Sequence, residues 1–141
     1  MTPEESTTPD AVGLTRALLE AAKRHDLDAY MTLFAPDAAF DLSDLGIGTF
    51  EGAAAIRGFM EDWWGTWANH RSELEEIADL GHGVVFARAW EEGRLGGSQG
   101  YVEQRVGRVL LWEEGMIERF TAYNDIDEAR AAAERLAEER G

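Results

Sequence analysis

The sequence has no cysteine, which excludes disulfides and thiol chemistry. It is poor in basic residues, with 13 Lys and Arg against 28 Asp and Glu and a formal charge of −15. Nothing in it resembles a basic stripe able to neutralise phosphates, so no nucleic-acid partner is expected. The same acidity disfavours anionic membrane surfaces. No apolar run approaches the roughly 20 residues of a membrane span. The opening MTPEESTTPD is polar and acidic and lacks the apolar core of a secretory signal, which makes a cytoplasmic location the expectation. The three histidines, His25, His70 and His82, lack metal-ligand spacing and have no cysteine to join them, so no metal is expected. There is no nucleophile motif and no phosphate-cradling glycine loop; Gly96-Gly97-Ser98 reads as a hairpin turn. No cofactor is expected.

What is present is a 141-residue chain, 45% hydrophobic, enough for one globular domain with a real core. Residues 1–7 read as a disordered tail and 8–141 as the domain. Thr8-Pro9-Asp10 is a helix start, and Leu14, Leu18, Ala21 and Ala22 form one apolar face behind it. Asp26 is suited to cap a second helix, with Leu27, Tyr30, Met31 and Phe34 at helical spacing until Pro36. Ala38 to Leu42 reads as a short strand and Ser43 to Gly52 as a glycine-rich loop. Residues 53–69 form the strongest helix, with Ile56, Phe59, Met60, Trp63, Trp64 and Trp67 in a wide apolar stripe. The pattern then shifts to period two: strands over 72–80, 84–92, 101–112 and 116–124, separated by turns. Asp125 and Glu128 suit a capping box for a final Ala-, Glu- and Arg-rich helix. The order predicts an α+β fold with helices on a curved antiparallel sheet.

Three strings, "HDLDAYMTLFAPDAAF", "FEGAAAIRGFM" and "VLLWEEGMIERFTAYNDIDEARAAA", resemble the SnoaL-like branch of the nuclear transport factor 2-like superfamily. The likeness spans residues 10 to 135 in order. It implies a cone in which a bent sheet wraps the long helix around an internal apolar pocket, and dimers built on the sheet's outer face. The superfamily includes ketosteroid isomerases, limonene-type epoxide hydrolases, polyketide cyclases and binding or scaffold proteins, so the fold does not name the chemistry. Transferred to this chain, the isomerase base falls at Leu42 and its oxyanion tyrosine at Leu18. The epoxide hydrolase arginine falls at Arg88, but its two acids fall at Trp90 and Ala122. The cyclase acid has no assigned position.

Strand alternation supplies the candidate pocket. Inward parity assigned to Arg88 brings Phe86 and Trp90 with it. The neighbouring strand brings Val102, Gln104, Val106, Arg108, Leu110 and Trp112. The last strand brings Phe120, Glu118, Ala122 and Asn124, and the first brings Phe40 and Leu42. Asp44 shares that parity, whereas Asp41 points out and Asp37 is a turn residue. Candidate catalytic groups are therefore Asp44 as acid/base, with Arg88 and Arg108 on developing negative charge. The alternative is that Glu118 or another acid neutralises the arginines, or that they sit at the rim. The candidate ligand-binding set is Phe40, Leu42, Trp63, Trp67, Phe86, Trp90, Gln104, Val106, Leu110, Phe120 and Asn124. Val109, Leu111, Ile117 and Tyr123 should face outward as a dimer surface unless the last helix covers them. The expected protein is a homodimeric small-molecule pocket protein for an apolar or aromatic oxygenated ligand. It is either a cofactor-free cyclase, isomerase or hydrolase, or a non-catalytic binding or scaffold domain.

Overall fold

The computed structural model of the chain describes residues 10–95 and 100–141. The expected tail, Thr8-Pro9 and the Gly96-Gly97-Ser98 turn lie outside the described residues. Asp10 caps helix α1 (Ala11–Lys23) by accepting from the Gly13 amide at 2.6 Å. Asp26 caps α2 (Leu27–Met31) through the Ala29 amide at 3.1 Å. The long helix α3 spans Ala53–Thr66. It is shorter than its apolar stripe suggests, because Trp67 adopts an extended backbone and opens a strand. Asp125 caps α4 (Ile126–Arg140) through the Glu128 amide at 3.0 Å.

Six strands form one sheet: β1 (Phe34–Asp41), β2 (Thr49–Glu51), β3 (Trp67–Gly81), β4 (Val84–Leu95), β5 (Tyr101–Glu113) and β6 (Met116–Tyr123). Their order is β2-β1-β6-β5-β4-β3. Three features depart from the sequence reading. Strand β2 emerges from the glycine-rich loop and pairs with β1. Strands β1 and β6 run parallel, so the sheet is mixed rather than wholly antiparallel. Pro36 does not end the second helix; it sits inside β1, where the register with β6 shifts between Phe34 and Ala39. That irregularity accommodates a residue with no N–H to donate.

The sheet divides two cores. On its inner face, Leu18, Tyr30, Ile56, Met60 and Trp64 from α1, α2 and α3 meet Phe40, Val85, Val106, Leu110 and Phe120. The Trp112 indole donates to the Thr15 hydroxyl at 2.9 Å, which satisfies both polar groups inside this core. On the outer face, Ala129, Ala133 and Ala137 of α4 cover Val84, Phe86 and Val109. Leu111 and Tyr123 pack there too, whereas Ile117, expected outside, belongs to the inner core. The apolar patch that suggested a dimer through the outer sheet face is therefore covered by the chain's own last helix.

The parity assigned to β4 is corrected. Val84, Val85, Phe86 and Ala87 are all fully buried, so a strand covered on both faces gives no polar contrast to read. The register decides it: Val85 lies opposite Leu110 and Ala89 opposite Val106. Directly opposed residues share a face, so Val85, Ala87, Ala89 and Glu91 face inward. Phe86, Arg88 and Trp90 face outward.

Candidate functional site

A cavity of about 390 Å³ lies between α1, α3 and the inner face of the sheet. This is the size of a small-molecule pocket. Its wall is a run of ring contacts. Phe59 stacks on Phe50 with centroids 4.5 Å apart and on Trp63 at 5.8 Å, and Phe40 stacks on Phe120 at 4.5 Å. Small residues at Ala89 and Ala122 make room opposite these rings.

The floor is polar. Glu91 is a buried carboxylate, 6% exposed. It accepts from Gln104 Nε2 at 2.7 Å and lies 3.4 Å from an Arg108 guanidinium nitrogen. His70 Nε2 is 3.6 Å from the same carboxylate. Burial by itself would raise the Glu91 pKa. The His70 ring, the Arg108 charge and the Gln104 amide outweigh it and hold the group down at about 2. Glu91 is therefore ionised across the ordinary pH range. Tyr30, 3% exposed, also lines the cavity and is close enough to Arg108 and Glu91 to feel both charges. Burial drives its phenol pKa upward, more than the Arg108 charge lowers it, so the hydroxyl keeps its proton. The floor thus offers guanidinium, phenol and amide donors beside a fixed carboxylate. Such a set can hold a carbonyl, enolate or phenolate oxygen.

The residues expected here are only partly brought together. Phe40, Leu42, Trp63, Gln104, Val106, Arg108 and Phe120 line the cavity. Leu110 lies on the same face but is sealed in the core beneath. Trp67 is buried at the cavity edge, packed against Trp63 and His70 at 5.6 and 4.9 Å between centroids. Phe86 lies outside, under the Arg130 guanidinium at 4.5 Å, and the Trp90 indole donates to Glu103 at 2.7 Å. Arg88 is on the outer face, 3.5 Å from Glu75 and 4.0 Å from Glu76.

The acids of the first strand and its loop are also settled. Asp44 is exposed in a 3-10 turn (Ser43–Leu45), and its carboxylate accepts from the Asn124 amide at 3.1 Å. The contact ties the β2 side of the sheet to the end of β6; neither Asp44 nor the exposed Asn124 is among the cavity-lining residues. Asp41 accepts from the Ser43 amide and hydroxyl and from Thr49, and faces Arg119 at 3.6 Å. Its partial burial raises the pKa, but those hydrogen bonds and Arg119 leave it below the usual value. Asp37 is exposed.

Sequence reasoning missed Glu91, His70 and Tyr30. Glu91 was hidden by the β4 parity. It was recoverable from pairing, because a carboxylate opposite Gln104 and near Arg108 follows once Ala87 and Ala89 are turned inward. Tyr30 read as a helix core residue, and His70 as a residue following a helix.

Residues 15–120 match the SnoaL-like domain family. This chain belongs to the SnoaL-like family. No curated protein matches it. Among solved structures, it is similar to a candidate polyketide cyclase from Xanthomonas campestris pv. campestris. The two are 27% identical, with 87% of this chain and 96% of that one covered at a TM-score of 0.68. It is also similar to an epoxide hydrolase of limonene-hydrolase type from M. tuberculosis, at 18% identity, 94% and 93% coverage and a TM-score of 0.70. A hypothetical protein of ketosteroid isomerase-like fold from Catenulispora acidiphila, crystallised with trimethylamine, aligns at 21% identity, 90% and 94% coverage and a TM-score of 0.70. These solved structures share the fold and differ in the chemistry their names describe. Among the described residues of this family member, no group of His, Asp and Glu is placed to hold a metal, and no helix is long and apolar enough to cross a membrane.

Proposed function

We infer that this SnoaL-like protein takes an apolar, oxygenated, ring-shaped small molecule into the inner cavity and performs cofactor-free acid/base chemistry on it, of the cyclisation, isomerisation or hydration type. The observation that carries this reading is the buried Glu91–Arg108–Gln104 floor beneath an aromatic wall. Arg108 and Tyr30 supply donors to an oxygen that gains negative charge. Glu91 is the proton acceptor beside them. A carboxylate held at about 2 is a weak base, so most of the rate enhancement falls on stabilising the oxyanion. Asp44 and Arg88 have no part in this assignment.

A bicyclic ketone, 2-tetralone, tests it. Binding is read from quenching of tryptophan fluorescence, and chemistry from deuterium uptake at the carbon next to the carbonyl in D2O. The expected result is binding with uptake faster than in buffer, and uptake lost in Arg108→Met. Tight binding with no uptake beyond buffer overturns the enzyme reading. The second reading, a non-catalytic binding domain, then stands; it is favoured by the way Glu91 is already matched by Arg108, Gln104 and His70.

A further inference from the structure

Three buried side-chain nitrogens have no hydrogen-bond partner among the described residues: Trp67 Nε1, His70 Nε2 and Arg88 Nε. Arg88 is on the outer face, where Glu75 at 3.5 Å answers its charge. Trp67 is packed at the cavity edge and is not one of the lining residues. His70 differs from both, because it lines the cavity and its side chain is only 6% exposed. A buried polar atom left unpaired costs stability, so it marks a place where a partner belongs.

The ring is held so that this atom faces the floor. His70 Nδ1 is engaged by His25 Nε2 at 3.0 Å, and Trp67 packs on the ring with centroids 4.9 Å apart. The other nitrogen, Nε2, is turned toward Glu91 Oε2 but stops at 3.6 Å, too far for a hydrogen bond. An ionised carboxylate repels a lone pair and attracts an N–H. Nε2 therefore carries the His70 proton, and His25 Nε2 donates to Nδ1. Glu91 has acceptor capacity left. Gln104 and Arg108 each donate to it, whereas a carboxylate offers about four lone-pair sites. A donor without an acceptor thus stands beside an acceptor with room for a further donor.

We propose that His70 and Glu91 form a hydroxyl-recognition subsite, so that the ligand is a ring compound carrying a hydroxyl group in addition to the oxygen met by Arg108 and Tyr30. The proposal rests on reading the cavity as a ligand site and does not depend on turnover. Other groups fit the pair less well. A carbonyl or ether oxygen accepts from His70 but sets its own lone pairs against Glu91. An ammonium satisfies Glu91 and leaves His70 unpaired. A hydroxyl serves both: its oxygen accepts from His70 Nε2 and its O–H donates to Glu91. At about 2.8 Å from each group, one oxygen spans the 3.6 Å gap. His70 is then a specificity-determining residue. A ligand that lacks the hydroxyl leaves buried polar groups unpaired and is discriminated against for that reason.

The test compares, by calorimetry on the full chain at neutral pH, the Kd of 2-tetralone with those of its ring-hydroxylated forms, one for each aromatic position. At least one isomer should bind about tenfold tighter than 2-tetralone. That ratio should collapse to within about twofold in His70→Phe and persist in His70→Gln, which retains an N–H donor. A second measurement needs no variant. With 15N-labelled histidine, the tight isomer should move the His70 Nε2 signal and leave Nε2 protonated, while His82 in the β3–β4 turn serves as the unmoved reference. No gain for any isomer over 2-tetralone overturns the subsite, and is the result expected if a bridging water already satisfies both groups. An equal gain in His70→Phe, or a bound isomer that leaves the His70 signal in place, overturns it as well. Absence of deuterium uptake is a separate result that removes only the enzyme reading. Failure of every compound to bind removes the cavity reading and the subsite with it.

Discussion

Arg88 and Arg108 occupy adjacent strands of one sheet, and one was assigned the same role as the other from sequence. The structure puts them on opposite faces. Arg88 lies outside among Glu75, Glu76, Arg105 and Arg130, its side chain 37% exposed. Arg108 lies inside, 17% exposed, against a carboxylate that is 8% exposed. Water screens the outer cluster, so its contacts contribute little individually. The inner pair has little water, so its charges are held by one another and by Gln104 and His70. An arginine–glutamate pair is therefore surface decoration on one side of the sheet and a candidate reaction floor on the other.

Breaking the inner pair should give the largest effect. Arg108→Met leaves Glu91 buried with its main counter-charge gone and should destabilise the fold by about 3 kcal/mol. Urea denaturation measures this; a change below about 1 kcal/mol, the range of surface pairs, would mean that water reaches the floor freely.

An intermediate effect should appear in acid. The Glu91 pKa in the folded protein is below its ordinary value of 4.5, at about 2. Folding therefore favours the ionised form. That stabilisation is complete above the unfolded value and is lost as pH falls from about 4.5 toward 2. Denaturation curves across this window should fall more steeply for the unmodified protein than for Glu91→Gln. Parallel curves would assign the acid sensitivity to the outer carboxylates instead.

The smallest effect should come from the outer face. Arg88→Gln should move the melting temperature by no more than about 1–2 °C, because its nearest carboxylate oxygen is 3.5 Å away and its side chain is partly exposed. It should also leave 2-tetralone binding unchanged. A clear loss of binding would return Arg88 to the site and reverse the contrast between the two faces.

Local signals made most of the elements legible. Asp26 and Asp125 each do what a capping carboxylate does, because capping needs only residues within one helical turn, whereas Asp10, read as an acid within the first turn of a helix starting at Thr8-Pro9, is itself the cap of α1. The apolar stripe of α3 likewise holds Trp63, a ligand-binding candidate that lines the cavity, beside Phe59, which was read only as part of the stripe and lines it too. Pro36 misled, since a proline stops a helix but is also tolerated at a strand irregularity. Trp67 misled because an aromatic stripe does not say where the helix turns into a strand.

By itself the sequence determined the α+β class, the helix starts, the inner face of β5 and the exclusion of thiol chemistry. Each depends on composition or on neighbours a few residues apart. Only the tertiary structure decided which face of β4 looks inward. Helix α4 arrives from the far end of the chain to bury the other face, and a strand buried on both sides carries no alternation to read. The same is true of the site. His25, His70, Glu91 and Arg108 come from the α1–α2 junction, β3, β4 and β5. Their meeting depends on strand register and on where each helix and strand ends, which no single stretch of sequence encodes.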